Sequence, residues 1–251
     1  IPKKSFAGPY LFTSDQYISQ LNLPEGIRYG VMINGSEFLN HKENTKELIS
    51  KIFDHCDNSP IDLVRIAINF NQIHKAQQLL GELKELGYNL GFNMMQAHGK
   101  QEEEYTDAAN LVSSWGTVDI LYFADSLGNM NPKDVKFISQ SLRKGFSGQL
   151  GIHTHNNKSL ALINSIAAVE NGITWIDGTV TGMGRGAGNV STESLILEMS
   201  NNGYHNGDGN LIQRTVEDFT IMKIPNFSTS LLLLKSNEVI ASVLARSKNF
   251  K

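Results

Sequence analysis

Two histidines one residue apart, His153 and His155, end a short apolar run, and their types and spacing suit a shared divalent ion. On a β-strand, side chains alternate between faces, so both imidazoles project the same way. Taken alone, the pair fits a polar rim of hydrogen-bonded imidazoles equally well. Downstream, the loop Gly182-Met183-Gly184-Arg185-Gly186-Ala187-Gly188-Asn189 carries four glycines and leads to Ser191, Thr192 and Glu193 at a helix start. Glycine lets the backbone approach closely and take unusual dihedrals. Gly182, Gly184 and Ala187 formally satisfy a dinucleotide pattern, but the late position and the missing downstream acidic residue argue against nicotinamide or flavin. Phosphate binding at the following helix N-terminus is the other bland reading. Asn189 adds a neutral oxygen within range of an ion held by the histidines.

Other candidates lie at neighbouring strand ends. Asp125 is either a site carboxylate or a turn cap, and Ser126 beside it supplies a hydroxyl. Asn93 and Gln96 either contact substrate or satisfy rim hydrogen bonds. His41, His55, His74 and His205 have no partner at ligand spacing and read as surface residues, and His98 reads as a solvated loop residue. Cys56 and His55 are adjacent in an expected helix, where neighbours point apart, so they form no nucleophile pair. Neither a Gly-x-Ser-x-Gly elbow nor a Walker loop occurs.

The elements that must position these groups alternate regularly. Apolar runs at 28–33, 62–68, 89–95, 119–124, 149–154 and 175–180 predict strands, and helical spacing predicts helices at 45–56, 72–86, 102–115, 132–146, 159–170 and 191–201. Gly87, Gly116 and Gly172 read as C-terminal caps, and Pro132 opens a first turn. This is an α/β pattern of six βα units, and a (β/α)8 TIM barrel needs two more. Residues 1–23 read as loop and helix without a buried strand, so the first two units are expected upstream. An open doubly wound sheet is the rival topology. The expected division is a barrel domain over 1–202 and a C-terminal helical extension over 203–251, with helices at 211–223 and 231–247.

The 251 residues are 40% hydrophobic, enough for one large core, and 22 Lys and Arg against 25 Asp and Glu give a net charge of −3. That balance predicts neither nucleic acid nor an anionic membrane as partner, and favours a small molecule. The apolar stretches 231–234 and 239–244 are interrupted by Lys235, Asn237 and Glu238, so no membrane span is expected. The single cysteine, Cys56, rules out an intrachain disulfide framework and suits a reducing, cytoplasmic setting.

The segment Gly151-Ile152-His153-Thr154-His155-Asn156-Asn157, then Asn164, Ile176-Asp177-Gly178-Thr179, the loop 182–189 and Thr192-Glu193 resemble, in order and spacing, the last two strands of the metal-dependent aldolase and acyl-CoA lyase/synthase barrels (HMGL-like). Gly91-Phe92-Asn93-Met94-Met95 and Ala124-Asp125-Ser126-Leu127-Gly128 are more similar to the 4-hydroxy-2-oxovalerate aldolase branch. The resemblance covers roughly residues 27–200. It implies His153 and His155 as metal ligands, Asn189 as a ligand or close neighbour, and Ser126 and His153 as substrate contacts; Asn93 is the remaining substrate-binding candidate. The family's first-strand Arg-Asp pair and the following histidine base have no counterpart here, which leaves the catalytic base unassigned. The tail also lacks the aldolase branch's tyrosine region, which argues against the acylating dehydrogenase partner of that branch. A homo-oligomer is compatible with the sequence.

The resemblance thus implies a carbon–carbon lyase that splits a 4-hydroxy-2-oxo acid into pyruvate and an aldehyde, or joins them. Two imidazoles with oxygen donors favour Mn²⁺ or Mg²⁺, with Zn²⁺ or Co²⁺ also compatible. Two alternatives stay open: an acyl-CoA Claisen synthase or lyase using the same centre, and a noncatalytic barrel remnant that binds a ligand.

Overall fold

The structure, a computed structural model, describes residues 14–39 and 44–204, with the backbone of two further strands at 231–235 and 238–245. Six strands follow the sequence expectation: β1 (Gly30–Asn34), β2 (Leu63–Asn69), β3 (Asn89–Met95), β4 (Ile120–Asp125), β5 (Gln149–Thr154) and β6 (Trp175–Gly178). Each is parallel to the next, in chain order. A doubly wound sheet reverses its strand order midway, so this sheet curls as a barrel wall instead.

The helices are α1 (Asp15–Ile18), α2 (Gly35–Leu39), α3 (Thr45–Ser50), α4 (Gln77–Glu85), α5 (Glu102–Trp115), α6 (Pro132–Gly145), α7 (Ala161–Glu170) and α8 (Thr192–Asn201). Two start or stop inside their expected ranges because tighter turns intervene, at Cys56–Asn58 after α3 and at Phe70–Lys75 before α4. The α6 start shows how local chemistry sets a boundary. Asn131 accepts the amides of Lys133 and Asp134, Asp134 answers by accepting the Asn131 amide, and Pro132 occupies a position that needs no donor.

One expectation fails. The segment read as a helix over 231–247 forms two strands, β7 (Leu231–Lys235) and β8 (Glu238–Ala245). β7 runs antiparallel to β6 and to β8, and β8 lies parallel to β1. The ring therefore holds six parallel βα strands and one hairpin, not the eight parallel units of a complete (β/α)8 barrel. The helix expected at 211–223 and most of the opening segment lie outside the described residues.

Strand alternation divides the core in two. Residues such as Val64, Ile66, Phe92, Phe123 and Ile152 face the helices and form the larger buried cluster. Leu63, Ile120, Tyr122 and Trp175 form a smaller one with Met32 inside the curled sheet. Burying each large apolar side chain contributes roughly 1.5–3 kcal/mol, so the helix-facing layer carries most of the stabilisation and the interior is freer to hold polar groups. Among the described residues no helix is long and apolar enough to cross a membrane.

Candidate metal centre

The interior of the curled sheet holds a buried ion pair above the small apolar cluster. Arg65 on β2 makes two parallel bonds to Asp177 on β6, Nη1 to Oδ1 at 2.8 Å and Nη2 to Oδ2 at 2.6 Å. Both side chains are 1% exposed, so neither charge has water as an alternative partner. The guanidinium carbon also lies 4.0 Å from the centre of the Tyr122 ring. Glycines make the room: a Cβ on Gly91 would stand 3.3 Å from Arg65 Cγ, and one on Gly151 only 2.3 Å from the Tyr122 ring.

This pair reaches the histidines. Oδ2 of Asp177 lies 2.8 Å from His153 Nδ1, which fixes the imidazole and leaves Nε2 for the rim. Burial works to raise the Asp177 pKa, but Arg65 and His153 outweigh it and hold the carboxyl below its usual range. Asp177 is thus ionised beside a tautomer with hydrogen on Nδ1.

His155 stands beyond the end of β5, its ring centre 5.0 Å from that of His153. Burial, then the positive fields of His153 and Arg185, lower its pKa to about 4, so the imidazole is neutral with a lone pair to offer at neutral pH. The glycine loop closes over it. His155 bridges Asn189, the Asn189 amide donates to Gly182 O at 2.9 Å, and the Asn156 amide donates to Gly188 O at 2.8 Å. Gly188 has φ +86°, and a Cβ there would meet Gly182 O at 2.0 Å, so only glycine permits this closure. Asn189 donates Nδ2 to Met183 O, while its Oδ1 is buried without a hydrogen-bond partner.

The remaining candidates separate clearly. Ser126 accepts the Gln96 amide at 2.9 Å, at the rim next to β5. Asn93 is buried on the inner wall of β3 and its Oδ1 has no partner. Asp125 accepts the amides of Asn129 and Met130 and so caps its loop, the structural role among its two readings. Burial raises its pKa while those two amides work to lower it. Gln96 accepts from Asn69, and His98 lies against Asp134. Asn164 ties α7 to this loop by donating to Met130 O.

Two other features lie at the opposite end of the strands. His55, Cys56 and Asp57 offer donor atoms within 4.8 Å of one another, but desolvation and the Asp57 carboxylate raise the Cys56 pKa and keep the thiol protonated. A cavity of about 440 Å³ is lined by Arg28, Asp119 and Trp175, among others, well away from the histidines.

Arg65 and Asp177 escaped the sequence reading as functional groups. A signal was present: each is the one charged residue in an apolar strand, at an inward position.

A divalent ion fits the histidine end on the structure's own terms. The two imidazole rings lie 5.0 Å apart between centres, and the carbonyl oxygen of Asn189 is buried without a partner, a mixture of nitrogen and oxygen donors whose chemistry suits such an ion.

The HMGL-like family model matches residues 62–226. The chain belongs to the HMGL-like family. Its match to the 4-hydroxy-2-oxovalerate aldolase of Carboxydothermus hydrogenoformans is 39% identical over 146 residues, 58% of this chain and 43% of that protein. The chain therefore spans less than half the length of this curated relative. Among solved structures, the N-terminal domain of a presumed aldolase from Bacteroides vulgatus is similar with a TM-score of 0.76 and 29% identity, covering 88% of this chain and 72% of that one. The HMG-CoA lyase of Brucella melitensis, at TM-score 0.63 and 16% identity over 83% and 78% of the two chains, shares the fold. The HMGL-like match thus spans the segments that carry His153, His155 and Asn189.

Proposed function

We propose that this HMGL-like chain forms the late-strand part of a divalent-metal-dependent aldolase that cleaves a 4-hydroxy-2-oxo acid to pyruvate and an aldehyde, or runs the reverse reaction. The observation that carries the reading is the pairing of two same-face imidazoles with the unpartnered Oδ1 of Asn189. The names of the aldolase relatives supply the reaction class.

His153, His155 and Asn189 would hold the ion, Mn²⁺ or Mg²⁺ by their mixture of nitrogen and oxygen donors. A bound divalent ion would supply Lewis-acid polarisation of the 2-oxo group. The chain's own residues do the rest by placement. Asp177 keeps His153 in one tautomer, and its charge offsets positive charge that gathers on the imidazole. His155 stays neutral at working pH because burial disfavours its cation. Ser126 accepts one backbone amide and retains its own hydrogen to donate to a substrate oxygen. Asn93 offers a second polar contact from the inner wall.

The test is a Mn²⁺ titration of the full 251-residue chain by calorimetry, with pyruvate release from 4-hydroxy-2-oxovalerate followed in parallel. One ion per chain is expected, lost in His153→Ala. Unchanged Mn²⁺ binding by that variant, or none by the parent chain, refutes the reading.

A further inference from the structure

We infer that Arg185 is an anion-binding residue that grips the carboxylate of the 2-oxo acid at the histidine end, and so sets the substrate class of that site. The inference rests on the metal-site reading above.

The loop geometry places residue 185 over the site. A Cβ on Gly184 would lie 2.7 Å from Nδ2 of Asn189, and one on Gly186 would lie 3.5 Å from Nδ2 of Asn157. The two neighbours of Arg185 therefore rest against a candidate ligand and against the asparagine that follows the His155 strand end. Asn157 in turn packs on Gly128, so the loops after β4, β5 and β6 meet there. The Arg185 carbonyl accepts the Gly188 amide at 3.0 Å, which ties its backbone down while the side chain stays exposed.

Nearby carboxylates are already engaged. Asp177 serves Arg65 and His153, Asp125 serves two backbone amides, and Glu193 accepts the Thr181 amide at 3.0 Å. Among the described residues, no set of three His, Cys, Asp or Glu donors close enough to share an ion includes His153 and His155. A divalent ion held by two imidazoles, with a permanent guanidinium carried on the adjoining loop, has an excess of positive charge. An anionic ligand bridging ion and guanidinium removes that excess, and the planar fork of arginine matches a carboxylate in two parallel bonds. A 2-oxo acid brings its carboxylate next to the chelating carbonyl. A simple acyl thioester presents no anion at that point.

The probe is oxalate, a flat dianion with the chelating geometry of a 2-oxo acid, titrated into the Mn²⁺-loaded chain and its Arg185→Ala and Arg185→Lys variants. Charged hydrogen bonds of this kind predict that Arg185→Ala weakens oxalate binding about 10–100-fold, with Arg185→Lys between it and the parent. Mn²⁺ affinity without oxalate is expected to stay the same or tighten, because a repelling charge has gone. Equal oxalate affinity in parent and Arg185→Ala overturns the Arg185 assignment while leaving the metal site standing. If the parent chain binds no Mn²⁺, the metal reading fails, and the same titration without metal decides Arg185. An Arg185-dependent signal then supports an anion site, and no signal or no difference overturns it.

Discussion

His153 Nδ1 lies 2.8 Å from Asp177 Oδ2, the same oxygen that accepts Arg65 Nη2 at 2.6 Å. One carboxylate oxygen thus serves a structural cation and a candidate metal ligand together. Asp177→Asn keeps the shape and removes the charge. Leaving Arg65 buried and unpaired is expected to cost about 3–5 kcal/mol in urea unfolding. Mn²⁺ affinity is expected to fall about 10–100-fold through the loosened imidazole. Loss of stability with unchanged Mn²⁺ binding would show that Asp177 supports the fold alone.

The His155 pKa of about 4 has a definite consequence for the metal-free chain. A histidine whose folded pKa lies below its unfolded value contributes stability above about pH 6.5, and that contribution is lost as pH falls toward 4. Unfolding midpoints in chelator are expected to drop across this window, and His155→Asn is expected to flatten the slope. Parallel slopes in the two proteins would contradict the assignment.

Gly151 lends its missing side chain to the Tyr122 ring, since a Cβ there would sit 2.3 Å away. Gly151→Ala is expected to destabilise the fold by about 1–3 kcal/mol through overpacking. A change within about 0.5 kcal/mol, the usual range of neutral surface substitutions, would mean that the ring moves freely.

Gly188→Ala attacks the loop instead of the interior. With φ +86° and Gly182 O in the way, alanine cannot adopt the closed form, so Asn189 loses its seat beside His155. Mn²⁺ binding is expected to weaken about tenfold or more, by analogy with other residues that support metal ligands. Far-ultraviolet circular dichroism is expected to match the parent; tight Mn²⁺ binding would argue against Asn189 as a ligand.

Much of this arrangement was legible in the sequence. Six strands announce themselves because a parallel sheet covered by helices needs short continuous apolar runs. The His153/His155 face follows from strand alternation alone. Asp125 was ambiguous because a capping carboxylate and a site carboxylate look alike until the amides of Asn129 and Met130 are seen. The hairpin of β7 and β8 is not legible because two short apolar runs around Lys235 and Glu238 also satisfy helical spacing, and their partners on β6 and β1 are remote in the chain. The pairing of Arg65 with Asp177 is hidden for the same reason, since the partners are remote in the chain, although each stands out as the one charge in an apolar strand.

The Arg65–Asp177 bond joins residues 112 positions apart. Its formation requires β2 and β6 to have docked with all the strands between them, so the lock on the His153 ring is a late event in folding. Amides around His153 should therefore exchange hydrogen only through large cooperative openings, and ion capture should act on the completed sheet rather than guide its assembly.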